Sequence, residues 1–153
     1  MNADIPQPQV YRRSQIPARA DQLKSIRELV NRACAAFACT ARDTHDIIIA
    51  VDESCQNIVR YAYNDNESGI IDIDIQYHDS SIEIRIRDYA KKVDPAILVP
   101  TEKEKLSPGG LGILLIQKIM DVVKYLPVPD NTGNILFLSK KINKGIYELY
   151  NTD

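Results

Sequence analysis

Glu53 and Asn57 stand four residues apart in the segment "DESCQNIVRYAY", within apolar residues that recur at helical spacing. Residues four apart share one helix face, so a carboxylate is stacked against a carboxamide, with Tyr61 next along the stripe. The carboxylate can act as a general base on water or a hydroxyl. The amide oxygen can ligate Mg²⁺, which takes few protein oxygens and completes its shell with phosphate and water. The plain alternative is a solvated glutamate beside a surface asparagine, since charged side chains are mostly exposed. Asp52, pointing elsewhere on the same helix, is read as a surface residue.

The segment "SPGGLGILLIQKIMD" places Gly109, Gly110 and Gly112 at the mouth of an apolar helix. The first amides of a helix lack intrahelical acceptors and lie at the positive end of its dipole, and glycine lets an anion approach them closely. Phosphate binding and an ordinary loop before a buried helix both fit this pattern. The P-loop pattern GxxxxGK[ST] is absent, and these glycines follow a charged loop rather than a strand, against a dinucleotide fingerprint. Asp88 is the third candidate. It follows Ile82, Ile84 and Ile86 on the inward parity of "SIEIRIRD" and must find a partner there, because a desolvated carboxylate is costly.

These groups need a frame. "VYRRSQIPA" suggests a short edge strand ending at or near Pro17. Leu23, Ile26, Leu29, Val30, Ala33 and Phe37 mark a first helix over about Asp21 to Cys39, with Asp21 as its N-cap. Ile48, Val51, Cys55, Ile58, Val59 and Ala62 mark a second, ended by "YNDNESG". "IIDIDIQY" and "SIEIRIRD" then alternate with period two around "HDSS", a hairpin with one buried and one wet face. The charged, proline-interrupted stretch from Tyr89 to Pro108 reads as a mobile loop. A third helix is expected from about Leu111 to Val123, with Ile113, Ile116, Met120 and Val123 on one face and Leu115 and Ile119 widening it. Strands follow around "VVKYLPV" and "GNILFLSKKI", and "GIYELY" offers a last short one. The expected fold is one α+β domain, a two-layer sandwich with three helices on one face of a mixed, mostly antiparallel sheet.

Composition narrows the function. The chain has 153 residues and a formal net charge of −2, so no global positive field points to nucleic acid or an anionic membrane. No apolar run approaches the roughly 20 residues that span a bilayer, and the N-terminal segment lacks a signal-peptide core, so a cytosolic protein is expected. Cys34, Cys39 and Cys55 have no CxxC spacing and read as buried reduced thiols, and with only His45 and His78 a zinc site is not expected.

The motifs together resemble a known family. "DESCQNIVRYAY" is similar to the N box of the Bergerat-fold ATPases, the superfamily of gyrase, the heat-shock-ninety chaperones, MutL and sensor histidine kinases. "IRDYA" resembles its first glycine box, "PGGLGILLI" its second and "NTGNILFLSKK" its closing Thr-containing strand, in family order over about Asp21 to Ile142. Within the superfamily the resemblance is closest to the bacterial anti-sigma-factor serine kinases of partner-switching systems. It implies ATP and Mg²⁺ as cofactors, Glu53 as general base and Asn57 as Mg²⁺ ligand. By the same resemblance Asp88 accepts from the adenine amino group, and Gly109, Gly110, Leu111 and Gly112 form the loop and helix start that hold the phosphates. Thr132 supplies a hydroxyl near Asp88, and residues 91–108 form a lid from which Lys103 or Lys105 reaches a phosphate. The family has glycine where this chain has Ala90. Alanine there costs about 1 kcal/mol if the position needs positive φ, and narrows the adenine pocket if it needs close approach.

The implied activity is phosphorylation of Ser or Thr on a small antagonist protein of the anti-anti-sigma type, with a sigma factor as second partner and a homodimer as the working form. The competing reading is a binding module that uses nucleotide without turnover. A histidine-kinase half is disfavoured, because neither histidine is placed to be the phosphorylated one.

Overall fold

The computed structural model describes residues 9–142. Strand β1 (Gln9–Pro17) leads through a 3₁₀ turn into helices α1 (Leu23–Ala36) and α2 (Ala41–Asn57). A hairpin of β2 (Ile70–His78) and β3 (Ser81–Asp88) follows, then the lid segment, helix α3 (Gly110–Ile119), and strands β4 (Val122–Leu126) and β5 (Asn134–Lys141). The sheet order is β1-β2-β3-β5-β4, with every described pairing antiparallel, so the parallel element of a mixed sheet is not found among the described residues. "GIYELY" lies outside the described residues.

The alternation seen in the sequence sets the layers. Ile71, Ile73 and Ile75 of β2 and Ile82, Ile84 and Ile86 of β3 are all fully buried, facing Leu136 and Leu138 of β5. Ile26, Leu29, Val30 and Ala33 of α1, Ile47, Val51 and Cys55 of α2, and Ile116 of α3 close the core from one side. Burying one such aliphatic side chain contributes about 1.5–3 kcal/mol, so these rows fix strand register as well as stability. The hairpin turns on Asp79 and Ser80, both at positive φ, as the tight turn matching strand twist requires. Pro17 ends β1 at the sheet edge, where a missing donor is tolerated.

The expectations for Asp21, Asp52, Val123 and Leu115 are corrected. Asp21 does not cap α1; it sits in the preceding 3₁₀ turn and pairs with Arg19 at 3.1 Å, while Gln22 occupies the cap without a side-chain bond. Asp52 is not a surface residue but is partly buried, bonding Arg27 of α1 at 2.9 Å and Gln56 at 2.8 Å. Val123 belongs to β4, because α3 ends at Ile119, and Leu115 is exposed. The segment before α3 holds two 3₁₀ turns, Pro95–Leu98 and Glu104–Leu106.

Candidate nucleotide site

Helix α2 does not stay α-helical to its end. From Ile58 to Ala62 it widens into a π turn, which keeps Ile58 and Val59 in the core and puts Tyr61 at the surface. Such turns recur at functional sites because they re-aim side chains without ending the helix. Here Tyr61 faces the glycine loop. A Cβ on Gly109 would lie 3.0 Å from the Tyr61 ring and 3.5 Å from Asn57 Oδ1. A Cβ on Gly112 would lie 2.6 Å from Glu53 Oε2. The stripe Glu53, Asn57, Tyr61 therefore lies directly against the N-terminus of α3, the juxtaposition that the two motifs require if they serve one reaction.

Each glycine has its own reason. Gly109 caps α3 at φ 84°, a left-handed conformation that side chains disfavour. Gly110 is packed beneath the lid: a Cβ there would meet Glu104 O at 2.3 Å. Gly112 leaves room for the Glu53 carboxylate. The amides of Leu111 and Gly112 have no hydrogen-bond acceptor among the described residues, whereas Gly110 N–H donates to Ser107 O at 3.0 Å and Ile113 N–H to Gly109 O at 3.1 Å. Two free donors at a positive helix end suit an anion. The side chain of Leu111 points out to solvent, so its contribution there is its backbone.

Between this helix start and the sheet lies a cavity of about 570 Å³, within the range of small-ligand sites. Ser54, Asn57 and Tyr61 form one wall, Gly109, Gly110 and Ile113 another, and Val123, Tyr125 and Leu136 an apolar base, with Asp88 at the deep end. Burial pushes the Asp88 carboxyl above its ordinary range, opposed by hydrogen bonds from Asn134 and the Ala90 amide. Both bonds, each 3.0 Å, land on Oδ1. Oδ2 has no such partner among the described residues and is available to a ligand donor. Tyr125 is likewise shifted up by burial and by the Asp88 charge.

Asn134 gives little sign of a role in the sequence, standing as one polar residue at the start of an apolar strand. In the fold it is buried, donates to Asp88 and to Lys91 O at 3.0 Å, and accepts from Val93 N–H at 2.8 Å. It joins the deep carboxylate to the root of the lid. Tyr63 ends the segment "DESCQNIVRYAY" but is off the Glu53–Asn57 stripe, so the spacing marks no role for it. Its hydroxyl donates to Ile70 O and accepts from Tyr89 N–H, both at 2.7 Å, holding the segment after Asp88 against β2.

Thr132 does not line the cavity. It is exposed in the turn before β5, with its hydroxyl 3.4 Å from Asp130 O, and Asn134 occupies the expected place. Neither Lys103 nor Lys105 lines the cavity; Lys103 is exposed and Lys105 pairs with Glu102 at 2.6 Å, while Lys91 and Lys92 line it. Ala90 is not among the residues at positive φ and does not line the cavity, so neither expected cost of replacing glycine arises from its position. Glu53 stands at the rim, half-buried, outside the cavity lining.

These residues fit a nucleotide. A buried acceptor waits at the deep end, an apolar slot leads from it, and free amides stand at a helix start too tight for a Cβ. Known proteins resemble this chain in sequence and fold. Residues 16–140 match the histidine kinase-like ATPase domain family. The serine-protein kinase RsbW of Oceanobacillus iheyensis is 31% identical over 140 residues, covering 86% of this chain and 87% of the relative. RsbW of Bacillus velezensis is 29% identical over 141 residues, covering 87% and 86%. Among solved structures, the RsbU and RsbW domains of a Mycobacterium tuberculosis protein superpose with a TM-score of 0.63 at 14% identity, over 90% of this chain and 33% of that one. The SiaB-SiaC complex of Pseudomonas aeruginosa gives 0.60 at 16%, over 86% and 89%. With cavity, glycine-cradled helix start and Glu53–Asn57 stripe in one place, this chain belongs to the histidine kinase-like ATPase family, close to the RsbW serine-protein kinases.

Proposed function

We propose that this protein is an ATP-dependent serine/threonine protein kinase of the partner-switching type, an anti-sigma factor that phosphorylates a small antagonist protein of the anti-anti-sigma type. The observation that carries the reading is the contact between two motifs distant in sequence: Glu53 and Asn57 lie against Gly109 and Gly112, at the open side of a cavity that ends in Asp88. Bound ATP would supply the phosphoryl group, and Mg²⁺ would screen the charge that builds during transfer.

The chain's residues divide the remaining work. Asp88 Oδ2 accepts from the exocyclic amine of adenine, and Val123, Tyr125 and Leu136 exclude water around the ring. The amides of Leu111 and Gly112 orient the phosphates. Asn57 would hold Mg²⁺, and Lys91 or Lys92 adds positive charge on the lid side. Glu53 receives the proton of the incoming Ser or Thr hydroxyl, a role worth roughly 10²–10⁴-fold in rate. The relatives' shared name, serine-protein kinase, supports the kinase activity. By resemblance a sigma factor is the second partner and the working form is a homodimer.

The test is incubation with γ-labelled ATP·Mg²⁺ and the antagonist proteins of the same genome, beside Glu53→Gln. Label on a Ser or Thr of one antagonist, lost in the variant while ATP still binds, is the expected result. ATP binding without label on any antagonist would overturn the kinase and leave a nucleotide-dependent binding module. An equal rate in Glu53→Gln would remove Glu53 as the base.

A further inference from the structure

Away from the nucleotide cavity, two thiols meet where α1 hands over to α2. The last turn of α1 closes with Cys39 N–H donating to Cys34 O at 3.0 Å and Ala38 N–H donating to Ala35 O at 3.2 Å, with Ala38 at φ 56°. This paired six-to-one and five-to-two closure turns the chain back on itself and brings the side chain beyond the turn against that of the last full helical turn. Those two side chains are Cys34 and Cys39. Cys34 is buried and Cys39 half-buried, and both are free thiols close enough to influence one another's charge.

We propose that Cys34 and Cys39 form a modification site for hydroperoxides, in which Cys39 is oxidised first and Cys34 closes a reversible disulfide with it. The assignment of roles follows from the surroundings. Cys39 is the accessible sulfur and stands immediately before Thr40, whose hydroxyl caps the positive end of α2. The neighbouring Cys34 lowers the Cys39 thiol, against burial and the Asp43 charge, while the neighbouring Cys39 and burial raise Cys34. Cys55 is fully enclosed and raised by burial, so it serves as an internal control.

In the first step the Cys39 thiolate attacks one peroxide oxygen: an S–O bond forms, the O–O bond breaks, and the leaving hydroxide takes a proton to become water. In the second, the Cys34 sulfur attacks the sulfenic sulfur; the S–S bond forms and the S–O bond breaks. The thiol proton leaves with the oxygen as a second water. The two thiols together give two electrons to the peroxide, and an external thiol reductant restores them.

The sequence makes the test clean. Trypsin releases 33–42 with both thiols and 43–60 with Cys55 alone. The intact reduced protein is treated with one equivalent of hydrogen peroxide near neutral pH, alkylated and digested. The expected result is a 33–42 peptide two hydrogens lighter that takes no alkyl group until reduced, while 43–60 alkylates fully. Cys34→Ser should stall at a Cys39 sulfenic acid captured by dimedone, and Cys39→Ser should lose the reaction. Wild-type Cys39 passing to sulfinic acid without a cross-link, a disulfide between two chains, both thiols still alkylating, or Cys55 reacting equally fast would each overturn the proposal.

Discussion

Asn134 Nδ2 lies 3.0 Å from Asp88 Oδ1 and the same distance from Lys91 O, so one buried amide holds both the deep carboxylate and the lid root. With Val93 N–H donating to its Oδ1, Asn134 uses both ends of its side chain. Asn134→Ala removes three hydrogen bonds and leaves Asp88 and two backbone groups short of partners. At about 0.5–1.5 kcal/mol for each neutral bond, and more for the bond to a carboxylate, a stability loss of about 2–4 kcal/mol is expected in urea unfolding. Limited proteolysis should find the 91–108 segment cut faster. Unchanged cutting would show that the lid is held by other contacts.

The Asp88 carboxyl is raised by burial, and the sign of its pH effect follows. As pH rises past the ordinary value of about 3.8, the unfolded chain releases this proton while the folded chain retains it, so Asp88 lowers stability across the window up to its raised value. Below that window it has no effect. Asp88→Asn keeps an oxygen to accept from Asn134 and Ala90 but carries no charge. Its urea midpoint should therefore gain on the wild type as pH climbs from 4 to neutrality, while ATP binding falls. A constant difference at all pH values would contradict the shift.

Gly110 and Gly112 separate two effects. A valine at 110 places Cβ 2.3 Å from a lid backbone oxygen, which cannot step aside without moving the turn at Glu104. ATP affinity in Gly110→Val should fall strongly, by roughly tenfold or more, the equivalent of about 1.4 kcal/mol. An alanine at 112 meets only the tip of Glu53, 2.6 Å away and free to swing. Gly112→Ala should keep the fold and most ATP affinity but slow phosphoryl transfer, since the displaced carboxylate is the proposed base. Equal losses of binding and transfer in both variants would remove that distinction.

Much of this arrangement is carried by local pattern. The period-two isoleucines of β2 and β3 announce the hairpin and its buried face, and they place Asp88 inward before any coordinate is known. The Glu53–Asn57 stripe and the glycine helix start are equally local, because four-residue spacing and glycine type are written in the chain. What is not local is less legible. Asn134 reaches Asp88 across 46 residues, and a single polar residue opening an apolar strand does not disclose its partner. The π turn at Ile58–Ala62 has the same apolar spacing as an α-helix to within a residue, so periodicity extends α2 without showing the widening. The end of α3 fails for a related reason: Val123 continues a helical stripe, yet β4 claims it through pairing with Leu138.

Tyr63 gives a further prediction from geometry alone. Its hydroxyl bridges Ile70 O and Tyr89 N–H, and its ring leaves no room for a Cβ on Gly69, the nearest atoms being 2.7 Å away. Tyr63→Phe keeps the ring and removes both bonds. A loss of about 1–3 kcal/mol is expected in urea unfolding, and weaker ATP binding should accompany it because Tyr89 and Ala90 directly follow Asp88. Stability lost with full affinity would mean that the segment after Asp88 is held by the Asn134 network instead.

Ala90→Gly decides what the departure from the family glycine means. Relief of backbone strain is not available, because Ala90 is not at positive φ, and relief of crowding is not available, because its methyl does not line the cavity. Its amide bond to Asp88 Oδ1 is kept by either residue. The remaining effect is on the unfolded chain, where glycine has more freedom to lose, a cost of about 0.4–1 kcal/mol. Ala90→Gly should therefore unfold slightly more easily and bind ATP with affinity within about twofold of the wild type, a change of about 0.4 kcal/mol. A large gain in affinity, measured by equilibrium titration, would show that the methyl obstructs adenine after all and that the pocket rearranges when nucleotide enters.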